Sequence, residues 1–478
     1  MVTVSRAVLL VLMLVVAINI FLTASQALDL EHREVAKIAM GAKGYVSDEV
    51  WYVDAARNIL RKVFGLVPRM DVPRATLVYP DKDLAKEASK QASSYGVKVV
   101  SDLYTEIPAI YVEAKSIESI ERFARATNAS DIVFGWMLGD AEGINEYLNL
   151  EHPPMAKYII ALTMVLLGDR PFLWRIPSIA MGALLVILTF ILTLEITRSE
   201  NLALIVSALV AVDPLVRNMA SIALLDIYVA TLTALAMLYA VKGRLRLCAA
   251  LIGFASTFKF SALLGIVPLL LYVLKRVAQT TRRFIDALFD SIYYLILTAL
   301  FFTVFQVATS IPLIVYLGLD TWVNNSILNA ISWHLSIKCV GEGCPQPSAP
   351  WDWFFGLNIF PLYIENGRTI AASGIVPLYA VTFILMILAP PYLAKLRPRS
   401  RDTWMLLTGL FLGYVILWLA GAKTQYSFYA VHLAPYIHMF LVSICFELAD
   451  RGRLLELFNS WVKIFTYLWG VVLQLFEE

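Results

Sequence analysis

The stretch YVSDEVWYVDAARNIL, residues 45–60, sets two adjacent carboxylates, Asp48 and Glu49, just beyond the first hydrophobic segment of the chain. A second stretch, NLEHPPMAKYIIAL (149–162), brings an imidazole, His152, and an ammonium, Lys157, to the start of an apolar helix. Carboxylates take protons from hydroxyls, and cations meet anions. Each stretch also has a purely structural reading. Ser47 suits a helix N-cap, with Asp48 and Glu49 in the first turn where the helix dipole favours negative charge. Pro153 and Pro154 suit a helix start, since proline supplies the right φ and lacks only an N–H that would go unpaired. The prolines are explained in that way; His152 and Lys157 are not.

The elements that carry these residues follow from composition. Of 478 residues 59 % are hydrophobic, and the mean hydropathy is +0.70. That exceeds the roughly 45–50 % of soluble domains and marks a polytopic membrane protein. Apolar windows close to the ~20 residues a span needs lie at 6–26, 173–194, 202–216, 222–241, 247–258, 260–274, 287–316, 371–394, 404–421 and 427–447. An amphipathic segment, 455–475, follows, so about 10–11 transmembrane helices are expected. The first window reads as an uncleaved helix, because TASQALDLEHRE is a poor signal-peptidase site and many spans follow. The windows at 202–216 and 247–258 are short and need tilt or packing to cross.

Positive charge orients the array. The loops ITRSEN, VKGRLR, LKRVAQTTRRF, AKLRPRSR and DRGR, with Arg6, carry 15 Lys and Arg, which places them and the N-terminus in the cytoplasm of a multi-pass cell-membrane protein. Residues 27–172, the 318–369 loop and GAKTQYS then lie outside, and both reactive stretches flank one outer cleft. The net charge of +2 gives no reason to expect nucleic acid.

The chain divides into 1–65, with the first span and the acidic helix; 66–140, an extracytoplasmic insertion; and 141–478, the polytopic domain with outer loop 318–369. The insertion alternates short apolar strands with two helices, ATLVYP, DKDLAKEASKQASSYG, VKVVSDLY, AIYVEA, SIESIERFARAT and SDIVFG. That order is βαββαβ, a ferredoxin-like α+β module. At ~65 residues it is marginal alone and should rest on the membrane domain.

The sequence resembles the protein O-mannosyltransferase family and its archaeal and bacterial relatives, polyprenyl-phosphate-sugar glycosyltransferases of the C superfamily. The likeness is carried by DEVWYVDAAR, EHPPMAKYIIAL with Gly168-Asp169, WRIPSIAMGAL, LLDIYVATLTAL around Asp226, GFASTFKFSALLG around Lys259, and an outer loop with SWHL and APWDWF. The resemblance implies a C-superfamily helical fold and transfer of a sugar, mannose by likeness, from a polyprenyl- or dolichyl-phosphate donor to a Ser or Thr hydroxyl of a protein. A lipid or glycan acceptor is the alternative; a transporter or binding protein is the reading from another class. By that likeness Asp48 is the expected base of an inverting displacement, and Glu49 orients the acceptor or binds a metal. His152, Lys157, Arg175, Arg217, Asp226, Lys259 and His334 are the candidates for holding donor phosphate and substrate. The family's arginine five residues before the LLD aspartate is replaced by Ser221, and Arg217 stands one turn earlier.

No obligatory cofactor is expected, because the lipid phosphate carries its own leaving group; a divalent cation would sit at Asp48 and Glu49. Arg175 and Lys259 have a snorkelling alternative. Trp333, Trp351, Trp353 and Phe354 read as an interfacial belt or a sugar-stacking platform. Cys339 and Cys344 could close a short disulfide on the oxidising face. Asp140, Glu142 and Glu146 read as a solvated turn.

Overall fold

The computed structural model describes residues 4–280, 283–336, 346–365 and 367–477. Helix α1 (Arg6–Ala36) opens the chain, ten residues longer than its apolar window, and its polar end is held in place. There Arg33 and Lys37 pair with Glu365, at 2.8 and 2.9 Å, on the hairpin Pro361–Glu365/Arg368–Ala371. Helix α2 (Glu49–Lys62) follows and buries Tyr52, Val53, Ala56 and Leu60 in the main core.

The insertion is then β1 (Arg74–Val78), α3 (Lys82–Gln91), β2 (Val97–Ser101), β3 (Ala109–Ala114), α4 (Ile117–Ala126) and β4 (Asp131–Phe134). Its strands form one antiparallel sheet in the order β2-β3-β1-β4, the arrangement that a βαββαβ unit makes when both crossover helices cover one face. The helices begin where capping residues stand: Asp81 accepts from Leu84 N at 2.8 Å, and Ser116 from Ser119 N at 3.3 Å. Strand alternation sorts the two faces. Leu77, Ile110 and Val112 pack under the helices with Ile120 and Phe123, whereas Val78, Ala109, Tyr111 and Val133 join the core of the membrane body. A module too small to be stable alone thus shares a core with its support.

Two carboxylates also tie the module down. Asp140 accepts from Thr105 N, Glu106 N and Ile107 N and from Thr105 Oγ1, at 2.7–3.2 Å. Asp131 on β4 is gripped by both terminal nitrogens of Arg61 on α2, each at 2.8 Å. Partial burial works against ionisation at both, but the hydrogen bonds outweigh it and hold each carboxyl below the usual aspartate range. A depressed folded pKa contributes stability that is present above the unfolded value of ~3.9 and lost as pH falls through the folded value. Protection of the amides of residues 105–107 against hydrogen exchange, relative to the unprotected rate at each pH, should therefore hold from pH 7 to 5 and fall below about 4, and Asp140→Asn should remove much of that acid step.

The polytopic part continues with α5 (Met155–Leu166), α6 (Pro171–Thr197), α7 (Glu200–Val212), α8 (Pro214–Ala220), α9 (Asp226–Val241), α10 (Leu245–Ala255), α11 (Ile266–Thr280) and α12 (Phe284–Leu317). After the outer loop come helices Val376–Leu388, Pro398–Leu419, Ala434–Leu448 and Arg451–Glu477. The architecture is the expected one, helical and apolar, but the span count differs. Among the described residues five helices are long and apolar enough to cross a membrane, six if α7 and α8 count as one bent span. Five more apolar helices have only 10–17 residues, α9 and α10 among them. Hydropathy windows ran through caps that end helices. At 213–214 the reason is plain: Asp213 accepts from Leu215 N at 2.8 Å, Pro214 opens α8, and the axis bends by 58°.

Candidate active site

Asp48 stands at the N-cap position of α2 but makes no capping bond with its side chain, and Ser47, the expected cap, has φ +55° in the left-handed region instead. The tight Val46–Ser47 turn thereby leaves the Asp48 carboxylate facing a cleft of about 690 Å³. Trp51 and Tyr52 of α2, Glu142, the segment carrying Tyr147, Asn149, Glu151 and His152, Lys259, Phe360, Tyr426, Phe428 and Tyr429 line the rest. Helix α2 and the 147–152 segment are thus brought to one space, as their sequence suggested.

The position of α2 is set by a buried network. Arg57 donates to Asp169 at 2.6 and 3.0 Å and also to Asp54, which accepts from Tyr45 Oη at 2.6 Å and from Gly139 N at 2.8 Å. Burial pushes the Asp54 carboxyl up to about 6, against the pull of Arg57 and these hydrogen bonds. Asp169 Oδ2 also accepts from Trp136 N at 2.9 Å. Gly135, at φ +118°, leaves the room this crossing needs, since a Cβ there would overlap Asp169 Oδ2. Glu49 turns the other way. Its carboxylate receives Arg175 Nε and Nη2, both at 2.7 Å, with Val46 N at 2.9 Å and Ala223 N at 2.8 Å. Glu49 and Arg175 are both fully buried, and Arg175 Nη1 donates to Ala27 O at 2.9 Å.

This geometry corrects several expectations. Glu49 was expected to orient an acceptor or bind a metal, and Arg175 to hold phosphate or snorkel; instead each satisfies the other inside the protein. Lys157 was a phosphate candidate, yet its buried ammonium is spent on Leu148 O, Asn149 O, Asn149 Oδ1 and His152 O, fastening the loop that carries Asn149, Glu151 and His152 into the cleft. Arg217 lies on α8 and lines neither this cleft nor the apolar cavity beside it. His152 does reach the cleft, its ring edge-on to Tyr52 at 5.6 Å. Trp353 and Phe354 are core residues, Trp353 donating to Ser348 Oγ at 2.8 Å, so they offer no sugar platform. The side chains of Trp333 and His334, and the whole of Cys339 and Cys344, lie outside the described residues. No described group of three or more His, Cys, Asp and Glu could hold a metal ion.

Lys259 occupies the junction of the site. Its ammonium pairs with both oxygens of Asp226, at 2.8 and 2.9 Å, and lies 4.5 Å from the Tyr429 ring centroid. Asp226, a substrate candidate by likeness, is engaged by this ion pair. Lys259 and Tyr429 line the polar cleft and also a second cavity of about 420 Å³ between Phe260, Leu263, Leu264, Phe302, Ile327, Ile331 and Leu417, whose walls are almost wholly apolar. Sequence reading missed Tyr147, Glu151, Tyr426 and Tyr429. Glu151 sits inside the quoted EHPP motif and Tyr426 inside the outer GAKTQYS loop, so position alone could have flagged both.

Comparison with known proteins agrees with the motifs. No curated protein matches the chain. Among solved structures, ArnT from Cupriavidus metallidurans bound to undecaprenyl phosphate is similar at 14 % identity and a TM-score of 0.42, over 87 % of this chain and 61 % of that one. The apo oligosaccharyltransferase of Archaeoglobus fulgidus is similar at 12 % identity and a TM-score of 0.36, over 85 % of this chain and 51 % of that one. The chain spans about three fifths of the length of the ArnT structure. Residues 151–324, which hold the HPP motif, Arg175, Asp226 and Lys259, match the model of the dolichyl-phosphate-mannose-protein mannosyltransferase family.

Proposed function

We propose that this protein is a membrane glycosyltransferase that moves a sugar, mannose by its family, from a polyprenyl- or dolichyl-phosphate to a hydroxyl of a protein acceptor. The observation that carries the reading is the shared wall: one ammonium, Lys259, borders both the polar cleft containing Asp48 and an apolar cavity suited to a lipid chain. In this reading the donor phosphate rests at Lys259 with its chain in the apolar cavity and its sugar in the cleft. The acceptor oxygen attacks the anomeric carbon from the side opposite the phosphate, Asp48 takes the hydroxyl proton, and the sugar–phosphate bond breaks to release polyprenyl phosphate with inversion. Two of the three ammonium protons of Lys259 face Asp226, which leaves one for the departing oxygen. Glu142 and Glu151 add negative charge to the cleft, which favours a neutral or basic polypeptide over an anionic glycan.

The test is to supply purified protein in liposomes with labelled dolichyl-phosphate mannose and a Ser/Thr-containing peptide. Labelled peptide and free dolichyl phosphate are expected. Label on a lipid or glycan instead identifies the other acceptor class, and an unconsumed donor overturns the reading. Lys259→Gln should lower turnover about 10²-fold, as loss of a group stabilising developing charge does. Wild-type turnover in a folded Lys259→Gln protein removes lysine from the phosphate site.

A further inference from the structure

A third cavity, of about 600 Å³, lies at the other end of α9 from the cleft. Helix α9 starts at Asp226, beside Lys259, and its 16 residues span about 24 Å before the turn into α10. Arg244 of that turn and Arg246 of α10, both exposed, line the cavity together with Arg276 of α11 and Asp290, Tyr293 and Tyr294 of α12. Arg276 is fixed: it donates to Asp290 at 2.9 Å and to Tyr294 Oη at 3.3 Å, with its guanidinium 5.6 Å from the Tyr294 ring. The Arg246 guanidinium stands 5.9 Å from the ring of Tyr293. Among the described residues neither Arg244 nor Arg246 forms an ion pair, so one carboxylate answers three guanidinium groups around a concave space.

Positive charge needed only to orient a membrane protein can extend freely into water. Here tyrosine rings hold two of the three arginines at the wall of a cavity, and the neighbouring face of α12 is apolar and uncovered: Phe289 is 65 % and Ile296 64 % exposed, with Ile292 between them and Leu288 next to Phe289 also exposed. We propose that this cavity binds the phosphate of an anionic membrane lipid, held by Arg244 and Arg246, with the acyl chains lying along α12. The fork of a guanidinium matches two phosphate oxygens, and basic pockets between membrane helices suit lipid head groups. A soluble phosphate shares the head-group chemistry but has no chains for α12.

The site is tested on the full-length protein in neutral detergent, by native mass spectrometry and thermal stability during titration with short-chain phosphatidylglycerol, short-chain phosphatidylcholine or inorganic phosphate. Saturable binding and stabilisation by phosphatidylglycerol, and not by phosphatidylcholine, is expected. The R244Q/R246Q variant, which leaves the Arg276–Asp290 pair intact, should weaken it about thirtyfold, each surface charge near an anionic lipid being worth about fivefold. Its stability without lipid should equal the parent's, which separates a lost ligand from a lost fold. Unchanged phosphatidylglycerol affinity in that variant overturns the site. Equal stabilisation by inorganic phosphate at the same concentration overturns the lipid assignment and leaves a soluble-anion site.

Discussion

Asp48→Asn is expected to lower sugar transfer by about 10²–10⁴-fold while leaving the fold intact, the usual loss when a positioned base is removed. The fold should survive because the Asp48 side chain makes no cap bond to α2, so asparagine replaces it without undoing the helix start. The position of the helix rests elsewhere, on Arg57 with Asp54 and Asp169 and on Glu49 with Arg175. The measurement is initial rate against donor concentration. A fall confined to kcat, with donor KM unchanged, marks a group that acts on the acceptor proton. A rate within a factor of a few of wild type would show that another group takes the proton, and among the described residues Glu142 and Glu151 are the remaining carboxylates of the cleft.

Breaking the Glu49–Arg175 pair is expected to have the largest effect on stability. Both side chains are fully buried and the contact is two-pronged, so removing either partner strands a charge that water cannot reach. Such a loss costs about 3–5 kcal/mol. Arg175→Met alone should therefore lower the thermal midpoint in detergent sharply, whereas Glu49→Leu with Arg175→Met should recover much of it, since no charge is then left unpaired. The double variant separates two meanings of the acidic pair. If Glu49 only anchors the start of α2 against α6 and the 222–223 turn, a stable double variant retains measurable transfer. If that variant is as stable as wild type and wholly inactive, Glu49 takes part in the chemistry and its burial is a resting arrangement.

The contrast between neighbouring residues 48 and 49 shows what lies beyond a linear reading. The type, order and spacing of residues were enough for the polytopic helical class, because 59 % hydrophobic residues in long runs admit no soluble core of this size. They were enough for the βαββαβ insertion too, because strand alternation, helix periodicity and the Ser116 cap are local signals that the β2-β3-β1-β4 sheet obeys. They also brought the acidic motif and His152 to one cleft, since both had to lie on the same side of the apolar array. Tertiary structure alone decided which charges stay available. A charge's partner is a property of distance in space, and Arg175 is 126 residues from Glu49 while Lys259 is 33 from Asp226. Lys157 and Arg175 had the right chemistry for a phosphate, but burial demanded that each be satisfied internally, at carbonyl oxygens and at Glu49 respectively. Among the described residues, Lys259 alone of the cationic candidates borders both a polar and an apolar cavity, and no spacing in the chain encodes the meeting of those two walls.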